Sequence, residues 1–113
     1  MELTIERSSD EAGRGTLLLD GSIDLVTRQR LLDEGHAILE GGGGLVLDMA
    51  DVDFIDSTGI GALVELARAA KAQGSSVLIS RSSARVARVL EFSGLDQALD
   101  ALSPATDAGP GTR

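Results

Sequence analysis

The chain has 113 residues, 42% of them hydrophobic and 25% charged, with two aromatic side chains, no cysteine and a formal net charge of −8. That length and apolar fraction fit one globular domain with an aliphatic core. The missing cysteines exclude disulfides, thiolate zinc sites and a Cys nucleophile. The acidic balance opposes a nucleic-acid partner, which needs clustered Lys and Arg, and favours basic protein surfaces. With only Phe54 and Phe92, no base-stacking platform is available. The stretch Met1 to Arg7 lacks a basic region followed by a long apolar run, and no apolar run approaches the ~18 residues of a membrane helix. A soluble, cytoplasmic protein with no membrane partner is expected.

Leu3 and Ile5 alternate with Thr4 and Glu6, the period of a strand, before a turn-rich stretch from Ser8 to Gly15. Thr16-Leu17-Leu18-Leu19, closed by Asp20-Gly21, predicts a second strand antiparallel to the first. Thr27 is placed to cap a helix with Leu31, Leu32, Ile38 and Leu39 on one stripe. Gly35 weakens that helix by about 1 kcal/mol relative to Ala, and Gly41 to Gly44 end it. Leu45-Val46-Leu47-Asp48-Met49 reads as a buried central strand.

After Val52, Phe54 and Ile55 the chain turns at Asp56-Ser57-Thr58-Gly59 into a helix with Ile60, Leu63, Val64 and Ala67 on one face, closed by Gly74. Val77-Leu78-Ile79 predicts another strand. Ser82 or Ser83 then caps a helix with Val86, Val89, Leu90 and Phe92 inward, and Gly94 stops it. Leu95, Ala98, Leu99 and Leu102 suggest a last amphipathic element. The domain is therefore set at residues 1–102, and Ser103 to Arg113 is expected to be a disordered tail. The order β-β-α-β-α-β-α predicts an α/β fold, a single layer of mixed, mostly parallel β-sheet with an antiparallel edge and helices packed against it.

Ser57 falls where a strand ends and a helix begins, and two readings compete for it. It can be the helix cap, its oxygen accepting a free backbone N–H. It can also be a phosphoacceptor on an exposed turn beside Gly59 and Gly61, which leave room for another backbone; a phosphate would place about −1.5 to −2 charges beside Asp53 and Asp56. Asp20-Gly21-Ser22-Ile23-Asp24, ahead of the first helix, suits turn and capping chemistry. Both segments follow strands, so they are expected to share one end of the sheet.

Enzymatic readings find little support. Gly41 to Gly44 is followed by Leu45-Val46 and lacks the Gly-Lys-Ser/Thr of a P-loop. A triad of Ser57, His36 and an Asp lacks the Gly-x-Ser-x-Gly elbow, and a single histidine without cysteine does not build a usual transition-metal site. No catalytic residue, metal or cofactor is expected. Arg81, Arg85 and Arg88 read as a solvated basic group.

The sequence resembles the STAS domains, and within them the stand-alone anti-sigma factor antagonists. Asp56-Ser57-Thr58-Gly59-Ile60-Gly61 resembles the family's Asp-Ser-Ser/Thr-Gly-hydrophobic-Gly motif. Gly21-Ser22-Ile23-Asp24 is similar to its Gly-Glu-Leu-Asp turn, with Ser22 where Glu is frequent, and Val86 to Leu95 is similar to its third-helix segment ending in Ser-Gly-Leu.

The resemblance implies partner switching in sporulation or stress control. The unphosphorylated protein would bind an anti-sigma factor serine kinase and free its sigma factor. Phosphorylation at Ser57 would end the interaction, and a metal-dependent serine phosphatase would restore it. It also implies a contact surface of Asp24, Asp56, Ser57, Thr58, Gly59, Ile60 and Gly61. The alternatives are a constitutive STAS scaffold or transporter-associated subunit, with Ser57 a cap only, and a small nucleotide-binding sensor using the backbone N–H groups at the helix start.

Overall fold

The computed structural model describes residues 2–9, 14–93 and 102–104. The chain begins with β1 (Leu3–Ser9) and β2 (Gly15–Ile23), continues through α1 (Arg28–Leu39), β3 (Leu45–Ile55), α2 (Ser57–Ala72), β4 (Val77–Ser82) and α3 (Ala84–Ser93), and ends on β5 (Leu102–Pro104). The strands lie in chain order in one sheet, β1-β2-β3-β4-β5. β1 runs antiparallel to β2, and all other pairs are parallel, with α1, α2 and α3 falling between successive strands in the chain. The mixed sheet with one antiparallel edge follows from the element order read in the sequence.

Three boundaries differ from the sequence reading. β2 does not stop at Asp20-Gly21 but runs on to Ile23, because register shifts between Leu18 and Asp20 and between Gly21 and Ser22 absorb the irregularity. Gly21 sits at φ 122°, and a Cβ there would lie 2.3 Å from the Glu2 carbonyl oxygen, so only glycine fits. β3 is longer than its aliphatic run and carries the chain through Asp53 and Phe54 to Ile55.

The third difference is β5, which pairs Leu102, Ser103 and Pro104 with Val77, Leu78 and Ile79. Proline is admissible on an outermost strand, where its missing N–H breaks no ladder. The element expected from Leu95, Ala98 and Leu99, the inward side chain of Phe92, the stop at Gly94 and residues 105–113 of the expected tail lie outside the described residues or side chains.

Leu45, Leu47 and Met49 of β3 are fully buried, Val46 nearly so, and Leu17, Leu19, Leu63, Leu66 and Val77 pack into the same cluster. Val86 and Leu90 of α3 join it. Ser83, not Ser82, caps α3: its hydroxyl accepts from the Val86 N–H and donates to the Val52 carbonyl at 2.7 Å. Gly35 reads as a weak point of α1 in the sequence, yet it is a contact point in the fold. A Cβ there would come within 2.7 Å of a Leu66 methyl, so the missing side chain lets α1 lie close against α2.

Truncating the core should therefore cost more than helix propensity can return. Leu47→Ala is expected to lower the unfolding free energy by about 2–5 kcal/mol in a urea titration. Gly35→Ala is expected to deliver none of the ~1 kcal/mol that the same exchange gives on an open helix surface.

Candidate functional site

Parallel strands deliver their following loops to one edge of the sheet, and β2 and β3 do so as neighbours: Ser22 pairs with Phe54 and Ile23 with Ile55. The Asp56 N–H donates to the Ile23 carbonyl at 3.3 Å, and the Ser22 hydroxyl donates to Asp53 Oδ1 at 3.2 Å. The two motif segments expected to share one surface are thus joined by hydrogen bonds.

The cap of α2 is Asp56, not Ser57. With Asp56 in extended conformation, its Oδ1 accepts from the N–H groups of Thr58 and Gly59, both at 3.0 Å, and from the Thr58 hydroxyl at 2.6 Å. An N-cap oxygen must reach the N–H groups two and three residues on. Asp56 does so from outside the helix, whereas Ser57 is already the first helical residue. The Thr58 hydroxyl, and then the two backbone N–H groups, hold the Asp56 carboxyl below its ordinary value of 3.8 against a raising contribution from desolvation. Ser57 is exposed and takes no part in the cap.

The loop before α1 is built in the same way. Asp24 is only 8% exposed, and its Oδ1 accepts from Val26 N–H at 3.0 Å and Thr27 N–H at 3.1 Å. Thr27 occupies the cap position of α1 without a side-chain cap bond. Its hydroxyl accepts from the Asp24 N–H at 3.0 Å and donates to the Ser22 carbonyl at 2.8 Å. Asp24 therefore shapes this loop from within, and Thr27 stands at the cap position expected of it with its hydroxyl spent on the loop and not on the free N–H groups of α1.

The two glycines of the second motif do different work. Gly59 is buried, and a Cβ there would lie 2.7 Å from the Ile23 carbonyl oxygen and 2.8 Å from side-chain carbons of Ile23 and Ile55. It lets α2 start directly against the end of β2. Gly61 is exposed, with nothing within 4 Å of where its Cβ would stand. Ile60 is half-buried and packs on the core, and Thr58 is half-buried with its hydroxyl engaged.

Other residues singled out in the sequence lie elsewhere. His36 Nε2 is 3.4 Å from Glu65 Oε2, two turns along α2 from Ser57, so the described residues assemble no Ser57-His36 pair. Arg81 is in β4 and forms a forked pair with Asp48, at 2.7 Å through Nη2, while Arg85 and Arg88 are exposed on α3. Gly42 and Gly44 take φ of 91° and 90° in the α1–β3 turn. Sequence reasoning missed Leu25 and Val26, two exposed aliphatic side chains on the loop that Asp24 shapes. The sequence hides Leu25, which stands seven residues before Leu32 and so in step with the α1 stripe, although α1 begins only at Arg28.

The family model of the STAS domain matches residues 7–108 of this chain. The anti-sigma-B factor antagonist of Bacillus subtilis (strain 168) is 30% identical over 89 residues, which is 79% of this chain and 81% of the relative. The crystal structure of an anti-sigma factor antagonist from Mycobacterium paratuberculosis is similar with a TM-score of 0.72 and 26% identity, covering 91% of this chain and 86% of that one. The STAS domain of a SulP transporter from Vibrio cholerae is similar with a TM-score of 0.58 and 27% identity, covering 77% and 70%.

The geometry separates the two glycines experimentally. Gly59→Ala should destabilise by about 1–3 kcal/mol, because the backbone of β2 cannot yield, and Gly61→Ala should stabilise by about 0.5–1 kcal/mol. Thermal unfolding of both variants reads the two signs. Asp56→Ala should cost about 0.5–2 kcal/mol at neutral pH. Because the folded-state pKa of Asp56 is depressed, its contribution is complete above the unfolded value near 3.8 and is lost as pH falls through the lower folded value. The stability difference between the native chain and Asp56→Ala should therefore narrow below that pH.

Proposed function

Since the chain belongs to the STAS domain family, we propose that it is an anti-sigma factor antagonist switched by phosphorylation of Ser57. One observation carries this reading. Ser57 is an exposed hydroxyl on the first helical position of α2, left out of the cap that fixes the turn, so its modification need not break the fold. Asp56, Thr58 and Gly59 hold the turn that presents it, and Asp24 holds the loop alongside.

In this reading the unmodified chain binds an anti-sigma factor that is also a serine kinase, and the sigma factor held there is released. The kinase then joins Ser57 Oγ to the γ-phosphorus of ATP as the bond to ADP breaks, and the hydroxyl proton leaves to a base of the kinase. The product places about −1.5 to −2 charges on a surface that already carries Asp53 and Asp56. The N-terminus of α2 offsets part of that charge within the chain. Inside a complementary interface the remainder costs Coulomb and desolvation energy, and the complex dissociates. A metal-dependent serine phosphatase resets the chain, which is substrate and ligand but not catalyst.

The place of action is the cytoplasm, where sigma factors work, and among the described residues no helix is long and apolar enough to cross a membrane. Likeness to the STAS domain of a SulP transporter supports a second reading, a constitutive or transporter-associated subunit in which Ser57 stays unmodified.

Incubation with a purified anti-sigma factor kinase of the source organism and Mg-ATP, followed by intact-mass analysis and site mapping, separates the two. One phosphate on Ser57, absent from Ser57→Ala, is expected. No phosphate with a kinase shown to be active on another antagonist would favour the second reading. Ser57→Asp should weaken binding to the same kinase about a hundredfold by calorimetry, and unchanged affinity would contradict a charge switch.

A further inference from the structure

Leu25 and Val26 are 71% and 74% exposed, the largest values for bulky hydrophobic residues among those described, and they are neighbours in the chain. Phe54, 38% exposed, lies on the adjoining strand, paired in register with Ser22. A mobile loop would fold such side chains back onto the protein, but this loop is tied on every side. Asp24 Oδ1 holds the N–H groups of Val26 and Thr27, the Thr27 hydroxyl holds the Ser22 carbonyl, and the Arg28 N–H donates to the Asp24 carbonyl at 2.9 Å. The aliphatic pair is therefore presented rigidly, and little conformational entropy remains to be lost when it docks, as in the anchor residues of protein interfaces.

The pair is continuous with the Ser57 surface, since Ile23, two residues before Leu25, touches Asp56 and Gly59 through its carbonyl. One turn along α2 from Ser57, the open space over Gly61 lets a partner come close to the helix backbone. Exposed Asp51 and Asp53 stand at the same end of β3, in a chain of net charge −8. An apolar protrusion edged by carboxylates is complementary to an apolar pocket edged by Lys and Arg.

We infer that Leu25 and Val26 are the apolar anchors of this chain, inserted into a pocket of that chemistry on the anti-sigma factor; this rests on the function proposed above. Affinity then comes mainly from the β2–α1 loop, and release comes from the phosphate on the neighbouring helix, so the two are carried by different residues.

The test is the double variant Leu25→Ser, Val26→Ser in the full chain. Affinity for a purified anti-sigma factor kinase of the source organism is measured by calorimetry, together with thermal unfolding and sedimentation velocity. Binding should fall by at least about tenfold, while the unfolding midpoint stays within about 4 °C of the native value because both side chains are already in water. Native-like affinity in the double variant would overturn the anchor assignment and leave the phosphoswitch standing. A native chain that binds none of these kinases would overturn both. A native chain that sediments as a dimer, with the double variant monomeric, would make the patch a contact between copies and overturn the assignment to the anti-sigma factor.

Discussion

One carboxylate oxygen of Asp56 receives three hydrogens, from the N–H groups of Thr58 and Gly59 and from the hydroxyl of Thr58, and the direction in which α2 leaves β3 follows from that arrangement. The helix can begin without an intervening loop because Asp56 satisfies two of the orphan N–H groups of its first turn. Gly59 is then pressed against the carbonyl of Ile23, which closes the seam between β2 and β3 at the edge of the sheet. Ser57 alone among the residues of this turn is turned outward without a task in the fold.

Asp24 repeats the arrangement on the neighbouring strand. Both loops use an aspartate oxygen to collect backbone N–H groups, and a threonine hydroxyl engages each carboxylate. The difference lies in burial, since Asp24 is enclosed and Asp56 half-exposed. Two loops so tied, side by side, form a surface whose shape is set by their own hydrogen bonds. A single charge added to it then changes electrostatics without first having to reorganise the backbone.

The order of strands and helices was legible because the apolar runs and the helical stripes are strong and separated by glycine and serine. The apposition of the two motif segments was legible as well, since in a parallel sheet neighbouring strands must end together. The capping residues were not. Asp56 and Ser57 are chemically adequate caps one residue apart, and only the exact start of the helix decides between them, while Thr27 holds the expected cap position of α1 but spends its hydroxyl on the loop before it. Gly35 was read as a cost because helix propensity ignores what crosses the helix, and here that is Leu66. Leu25 and Val26 were passed over because an apolar residue in a sequence is taken for core unless geometry places it outside.

Among the described strands β1 alone runs against the others, and its start lies beside Gly21 and Ser22, at the edge where both loops emerge. The Ser22 N–H donates to the Glu2 carbonyl, so the chain enters the sheet at the flank of the surface proposed for binding. Whatever is joined ahead of Glu2, a leader, a linker or another domain, is delivered there. In the function proposed above, access to this surface would then depend on what precedes Glu2 in the chain as well as on the state of Ser57.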